Sequence, residues 1–185
     1  SVKAVYDDMC QKLGEDPASP EVLDELITFS EEVDSQLEAL EERIEVAVTQ
    51  YGDLISEQWL LTEKESARYW GLLHDPIRFA AVSGDWKRRS GQARMKFMDE
   101  LKKDQVKLTK DFVELDKTVT EFVKMGDLSK VEERFNQVLD IHGMLEEHGK
   151  RSELYQSREE IFQLKQTDWP QKEAIYKNFE PNSKL

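Results

Sequence analysis

A single cysteine in 185 residues, Cys10, excludes an internal disulfide and fits a reducing compartment. Glycine and proline are scarce, at 8 and 5 residues, so the chain has few breakers to interrupt helices. No apolar run approaches the roughly 18 residues that a membrane span needs. The start, Ser1-Val2-Lys3-Ala4, has no secretory pattern and no initiator Met, and it reads as mid-helix. The end, Ser183-Lys184-Leu185, has no natural stop, so the chain is expected to be a fragment of a longer one. Basic residues are in deficit, 26 against 39 acidic, for a net charge of -13. That balance argues against nucleic acid as a direct partner, and against tight binding to an acidic membrane or microtubule surface.

Chemical motifs are missing as well. There is no G-x-x-x-x-G-K-[ST] or G-x-G-x-x-G to cradle phosphate. The histidines, His74, His142 and His148, lie in neither an H-E-x-x-H nor a Glu-x-x-His pattern, so no metal or cofactor site is expected. Cys10 has no neighbouring His to activate it. Acid pairs such as Glu146-Glu147 read as solvated helix faces, and His142 reads as a core or boundary residue on a helix seam. These absences point to a chain that is not itself an enzyme.

What the chain has is heptad patterning. Met98, Leu101, Gln105, Leu108, Phe112, Leu115, Val119 and Phe122 step by 3 and 4, the spacing of a buried helix edge, with only Gln105 polar. Run backward, the register gives Ile77, Ala80, Gly84, Lys87, Gly91 and Arg94, behind Asp75-Pro76 as N-cap and N1. One helix from Pro76 to about Lys124 is predicted, with Gly84 and Gly91 as close-contact positions and Gly126 as C-cap. A break near Ser83-Gly84-Asp85 is the competing reading. The basic cluster Lys87, Arg88, Arg89, Arg94 and Lys96 is either a solvated face or a docking patch for an acidic partner.

A second seam runs through Leu23, Leu26, Ser30, Val33, Leu37, Leu40, Ile44, Ala47, Tyr51 and Leu54, behind Ser19 as N-cap and Pro20 at N1. It predicts a helix from Pro20 to about Leu60 or Leu61, with Gly52 as a bend or close contact. Val2, Val5, Met9 and Leu13 predict a short first helix stopped by Gly14. A helix over 63–73 carries Tyr69 and Trp70 as core filling at a bend, rather than as a ligand cage. Ser129-Lys130-Val131-Glu132 reads as a capping box for a helix with Val131, Phe135, Val138, His142 and Leu145 on its seam, weakened at Gly143 and Gly149. Asp168-Trp169-Pro170 opens a last helix with Ile175, Tyr176 and Phe179, which Glu180-Pro181 should stop.

The expected fold is all-α, an elongated antiparallel helical bundle of long heptad-patterned helices with short helices appended. Residues 1–18 form the first short helix and loop, 19–164 the long bundle, and 165–185 the terminal helices.

The C-terminal third adds a family resemblance. Ser157-Arg158-Glu159-Glu160-Ile161-Phe162, Leu164, Thr167-Asp168-Trp169, Phe179-Glu180-Pro181 and Leu185 resemble the segment of dynein heavy chains where the tail runs into the linker. There the family reads Asn-Ser-Arg-Glu-x-hydrophobic-Phe, an aromatic after Thr-x, and Phe-Glu-Pro-Tyr-x-x-Leu-Trp. Gln156 departs from the Asn, Trp169 from the usual Tyr, and Asn182 from the Tyr after Pro181. Trp70-x-x-Leu73, Phe97-x-x-x-Leu101-x-x-Asp104-Gln105, Leu115 and Phe122 are similar to axonemal dyneins, inner-arm more than outer-arm. The resemblance covers residues 55–185. The Ser-Arg-Glu to Phe-Glu-Pro spacing is its specific part.

This resemblance implies a non-catalytic part of the tail of a microtubule motor whose ATPase lies elsewhere in the parent chain. The segment would join the anchoring stem to the force-producing linker, in a ciliary or flagellar axoneme. Arg158, Glu159, Ile161, Phe162, Leu164, Phe179 and Pro181 would form the linker junction. The implied partners are neighbouring tail bundles and the linker, with other dynein subunits or docking proteins. A spectrin-like repeat of a cytoskeletal scaffold is the alternative, although no internal repeat shows beyond the heptads.

Overall fold

The computed structural model describes residues 2–124 and 131–183. These residues form five helices and no strand: α1 (Val2–Gly14), α2 (Pro20–Ser56), α3 (Glu63–Lys124), α4 (Val131–Ile161) and α5 (Pro170–Ser183). The expected C-cap at Gly126, the Ser129 side of the capping box, and Leu185 lie outside the described residues. The fold is all-α with long helices. It divides into two compact units, Ser1–Met95 and Lys96–Leu185, and α3 passes through the boundary without a break.

In the first unit, Ser19 caps α2 as expected, accepting from the Val22 N–H at 3.3 Å, with Pro20 at the first helical position. Tyr6, Met9 and Leu13 of α1 pack with Leu23, Val33, Leu40 and Ile44 of α2 and with Phe79 and Trp86 of α3 as the buried residues of this unit. Leu37 is half-buried, and Tyr6 replaces the expected Val5 on the inner face of α1. Tyr6 lies 5.8 Å from Phe79, and Arg89 bonds the Leu13 carbonyl further along both helices, so α1 runs beside α3 in the same direction.

α2 ends at Ser56, four or five residues short of expectation, and its last seam residue, Leu54, faces solvent. Gln58 adopts φ 62°, with Trp59 N–H donating to the Leu54 carbonyl and Gln58 N–H to Ile55. This is a Schellman stop with glutamine in the left-handed position. Gln163 (φ 56°) ends α4 in the same way, through Leu164 N–H to Glu159 and Gln163 N–H to Glu160. A glutamine carries no sequence signal for such a stop, which explains the misplaced end of α2.

α3 runs unbroken through Gly84 to Lys124, as predicted, and corrects two other expectations. It begins at Glu63, behind a capping box in which Thr62 and Glu65 bond each other reciprocally, and does not start afresh at Asp75-Pro76. Trp70, expected in the core, is largely exposed.

The register is also corrected upstream of Leu101. Leu101, Leu108, Phe112, Leu115, Val119 and Phe122 are buried as expected. Met98, however, is only half-buried, and Phe97 takes its place. Ile77, Ala80, Gly84, Lys87 and Gly91 face solvent, while Asp75, Phe79, Ser83 and Trp86 are buried. Phe97, Leu101 and Gln105 make two successive steps of four. Such a stutter turns the buried stripe back by one residue, toward the bulky aromatics.

A Cβ at Gly52, Gly84 or Gly91 would meet nothing within 4 Å, so none marks a close contact. Gly84→Ala and Gly91→Ala should each raise stability by about 0.5–1 kcal/mol in a urea titration. A loss of stability would restore the close-contact reading.

In the second unit, the pairs Gln105–Glu159, Asp111–Arg151 and Phe112–His148 place later residues of α3 against earlier residues of α4. The two helices are therefore antiparallel. Phe112–Trp169 and Phe122–Phe179 show α5 running parallel to α3. The seam of α4 holds at Leu145, which is buried, and at half-buried Val138, but Phe135 and His142 are exposed and Ile141 is buried in place of His142. The histidine of the interior is His148, edge-on to Phe112 at 5.6 Å. α5 continues past Pro181 to Ser183. A proline two residues from the helix end costs only a last-turn hydrogen bond, so it did not stop the helix where expected.

Candidate functional site

Gln105, Gln156, Glu159 and Thr167 come together where α4 ends. Glu159 is buried, at 2% exposure, and carries the junction. Its carboxylate accepts from the Thr167 backbone N–H at 2.8 Å, from the Thr167 hydroxyl, and from the Gln105 amide at 2.6 Å. The Gln105 amide also reaches Thr167 Oγ1 at 3.3 Å, and the Gln156 amide donates to the Thr167 carbonyl at 3.2 Å. One carboxylate thus ties α3, the end of α4 and the turn before α5. Three donors, two of them on Thr167, satisfy it, which a buried carboxylate requires. Gln105, the single polar residue of the central seam, is polar because it meets this carboxylate.

At that node Phe162 is buried and Arg158, Ile161 and Leu164 are half-buried. Phe179 and Pro181 are not brought to it: Phe179 is buried against Phe122, near the far end of α3, and Pro181 is exposed. Trp169 lies 5.7 Å from Phe112. Sequence reasoning missed Thr167 as a node residue, together with the Asp111–Arg151 bridge at 2.8 Å between half-buried partners. The lone Gln on an apolar seam was the available signal.

The basic cluster of α3 is largely engaged within its own unit. Arg89 donates to the Leu13 and Glu15 carbonyls at 2.6 and 3.2 Å, so it closes the C-terminal end of α1, where carbonyls lack partners. It also pairs with Asp16 and Asp85. Arg88 shares Asp85, and hydrogen bonds from both arginines hold that carboxyl below its usual range. Lys96 lies 3.9 Å from Glu100. Arg89 thus serves the fold of its own unit, while Arg88 and Lys96 stay largely exposed beside their acidic neighbours.

Cys10 is half-buried, and burial pushes its thiol above the ordinary value despite Arg78 nearby. Among the described residues no group of three His, Cys, Asp or Glu could hold a metal ion. No described helix is long and apolar enough to cross a membrane. Neither the protein-family models nor the curated proteins contain a match to this chain.

Proposed function

We propose that this chain is a non-catalytic structural segment of a dynein heavy chain tail, joining the anchoring stem to the force-producing linker. The supporting observation is the Glu159 node. The residues that carry the family resemblance, Ser157 to Phe162 and Thr167 to Trp169, are those that tie three elements together. A mechanical junction needs such a base. A buried carboxylate with its donors in place resists opening under load, and the chain beyond α5 would pull directly on α5. In this reading the partners are neighbouring tail bundles, the linker and axonemal subunits or docking proteins, and the location is the axoneme.

Phe162→Asp in the parent motor tests the proposal, because it puts an unpaired charge at a buried position. The expected result is a dissociation of activities. Basal ATP turnover should hold, while gliding speed or stall force falls when the motor is held by its tail and not when it is held by its ring. Normal tail-anchored gliding, with a melt showing a loosened junction, would make the segment a passive spacer.

A second reading, a spectrin-like repeat of a cytoskeletal scaffold, draws support from one observation. The chain divides at Met95 and Lys96 into two compact units that share one unbroken helix. The sequence following Leu185 in the parent chain separates the two readings, since a Trp directly after it continues the dynein pattern.

A further inference from the structure

The first unit carries an open groove of about 580 Å³ with no role in the junction. Its floor is made of small and apolar side chains, Ala47 and Tyr51 from α2 and Ala67, Gly71 and Leu72 from α3. Three cations stand around that floor, Lys3, Lys64 and Arg68, in a chain of net charge -13. None of the three makes a salt bridge among the described residues, although Arg68 interacts electrostatically with Glu65. The acidic residues nearby are engaged. Asp75, at one end of the groove, faces Arg78 at 3.4 Å, and Glu65 is held by the Thr62 cap. Beside the groove, rings follow one another from Tyr51 to Tyr69 at 5.6 Å and on to Trp70 at 5.7 Å, with Trp70 56% exposed.

We infer that this groove docks an acidic amphipathic helix of a partner protein, with its apolar stripe on the Ala47–Ala67–Leu72 floor and its flanking carboxylates on Lys3, Lys64 and Arg68. One feature favours that occupant: cations around an apolar floor complement a stripe of aliphatic residues edged by Glu or Asp. The inference stands on the first unit alone and does not depend on the dynein reading.

The test titrates the whole chain against two labelled peptides of about 18 residues that share one Leu stripe and carry either Glu or Lys on both flanks. The Glu peptide should bind saturably and the Lys peptide should not. The double variant Lys64→Glu/Arg68→Glu should weaken binding about tenfold or more, and raised salt should weaken it in the same direction. Ala67→Trp, which fills the floor from an exposed position, should also abolish binding with an unchanged melt. Failure of the Glu peptide to bind, equal binding of both peptides, or indifference to the double variant would overturn the inference. Displacement of the Glu peptide by phosphatidylserine vesicles would overturn it as well, by assigning the groove to lipid.

Discussion

Phe112→Ala should cost about 3–5 kcal/mol in a denaturant titration, the range for deleting a large ring from a packed core. Phe112 is fully buried. Its ring meets His148 of α4 at 5.6 Å and Trp169, just before α5, at 5.7 Å. The cavity would therefore open against two neighbours at once, and long helices anchored along their whole length have little freedom to collapse into it. Lys110→Ala, two residues away on the exposed face, should cost under about 0.5 kcal/mol. Equal effects from the two substitutions would mean that the register of α3 is wrong.

Glu159→Ala should cost about 2–4 kcal/mol, because it strands the Thr167 N–H without an acceptor in a buried place and leaves the Gln105 amide only the Thr167 hydroxyl. Glu159→Gln should cost less, since its amide oxygen can still accept from Thr167. The cycle of Gln105→Ala with Glu159→Ala should be non-additive, the double variant costing less than the sum of the singles. A Glu159→Ala cost under about 0.5 kcal/mol would show that water replaces the carboxylate and that the node holds nothing together.

The central seam was legible because its apolar residues recur without interruption from Leu108 to Phe122, and period alone assigns them to one face. Upstream the same period misled. Ala80 and Gly84 fit it by spacing but offer almost no surface to bury, whereas Phe79, Trp86 and Phe97 offer a great deal, and burial follows area rather than count. The intervals between those three aromatics are 7 and 11 residues, and the second interval is the trace of the stutter. In α4, Ile141 and His142 are neighbours, so a one-residue error exchanged an aliphatic core residue for a solvated histidine. The Glu159 node was legible only by half. Gln105 stood out as an exception, but its partner lies 54 positions along the chain, and helical period says nothing about such distances.

Pro76 inside α3 has a consequence for how that helix comes apart. It has no N–H to offer the Leu72 carbonyl, so the ladder is already open by one rung there. Fraying that begins at Glu63 would reach a natural stop. Asp75 and Pro76 have the chemistry of a fresh N-cap and first position, and a helix trimmed back to them restarts with little further loss. The first three turns of α3 can thus melt as a unit while Phe79 and everything after it stay wound. Lys64, Ala67, Arg68, Gly71 and Leu72 all lie within those turns, so the α3 wall of the groove is the part of the helix free to form and dissolve on its own.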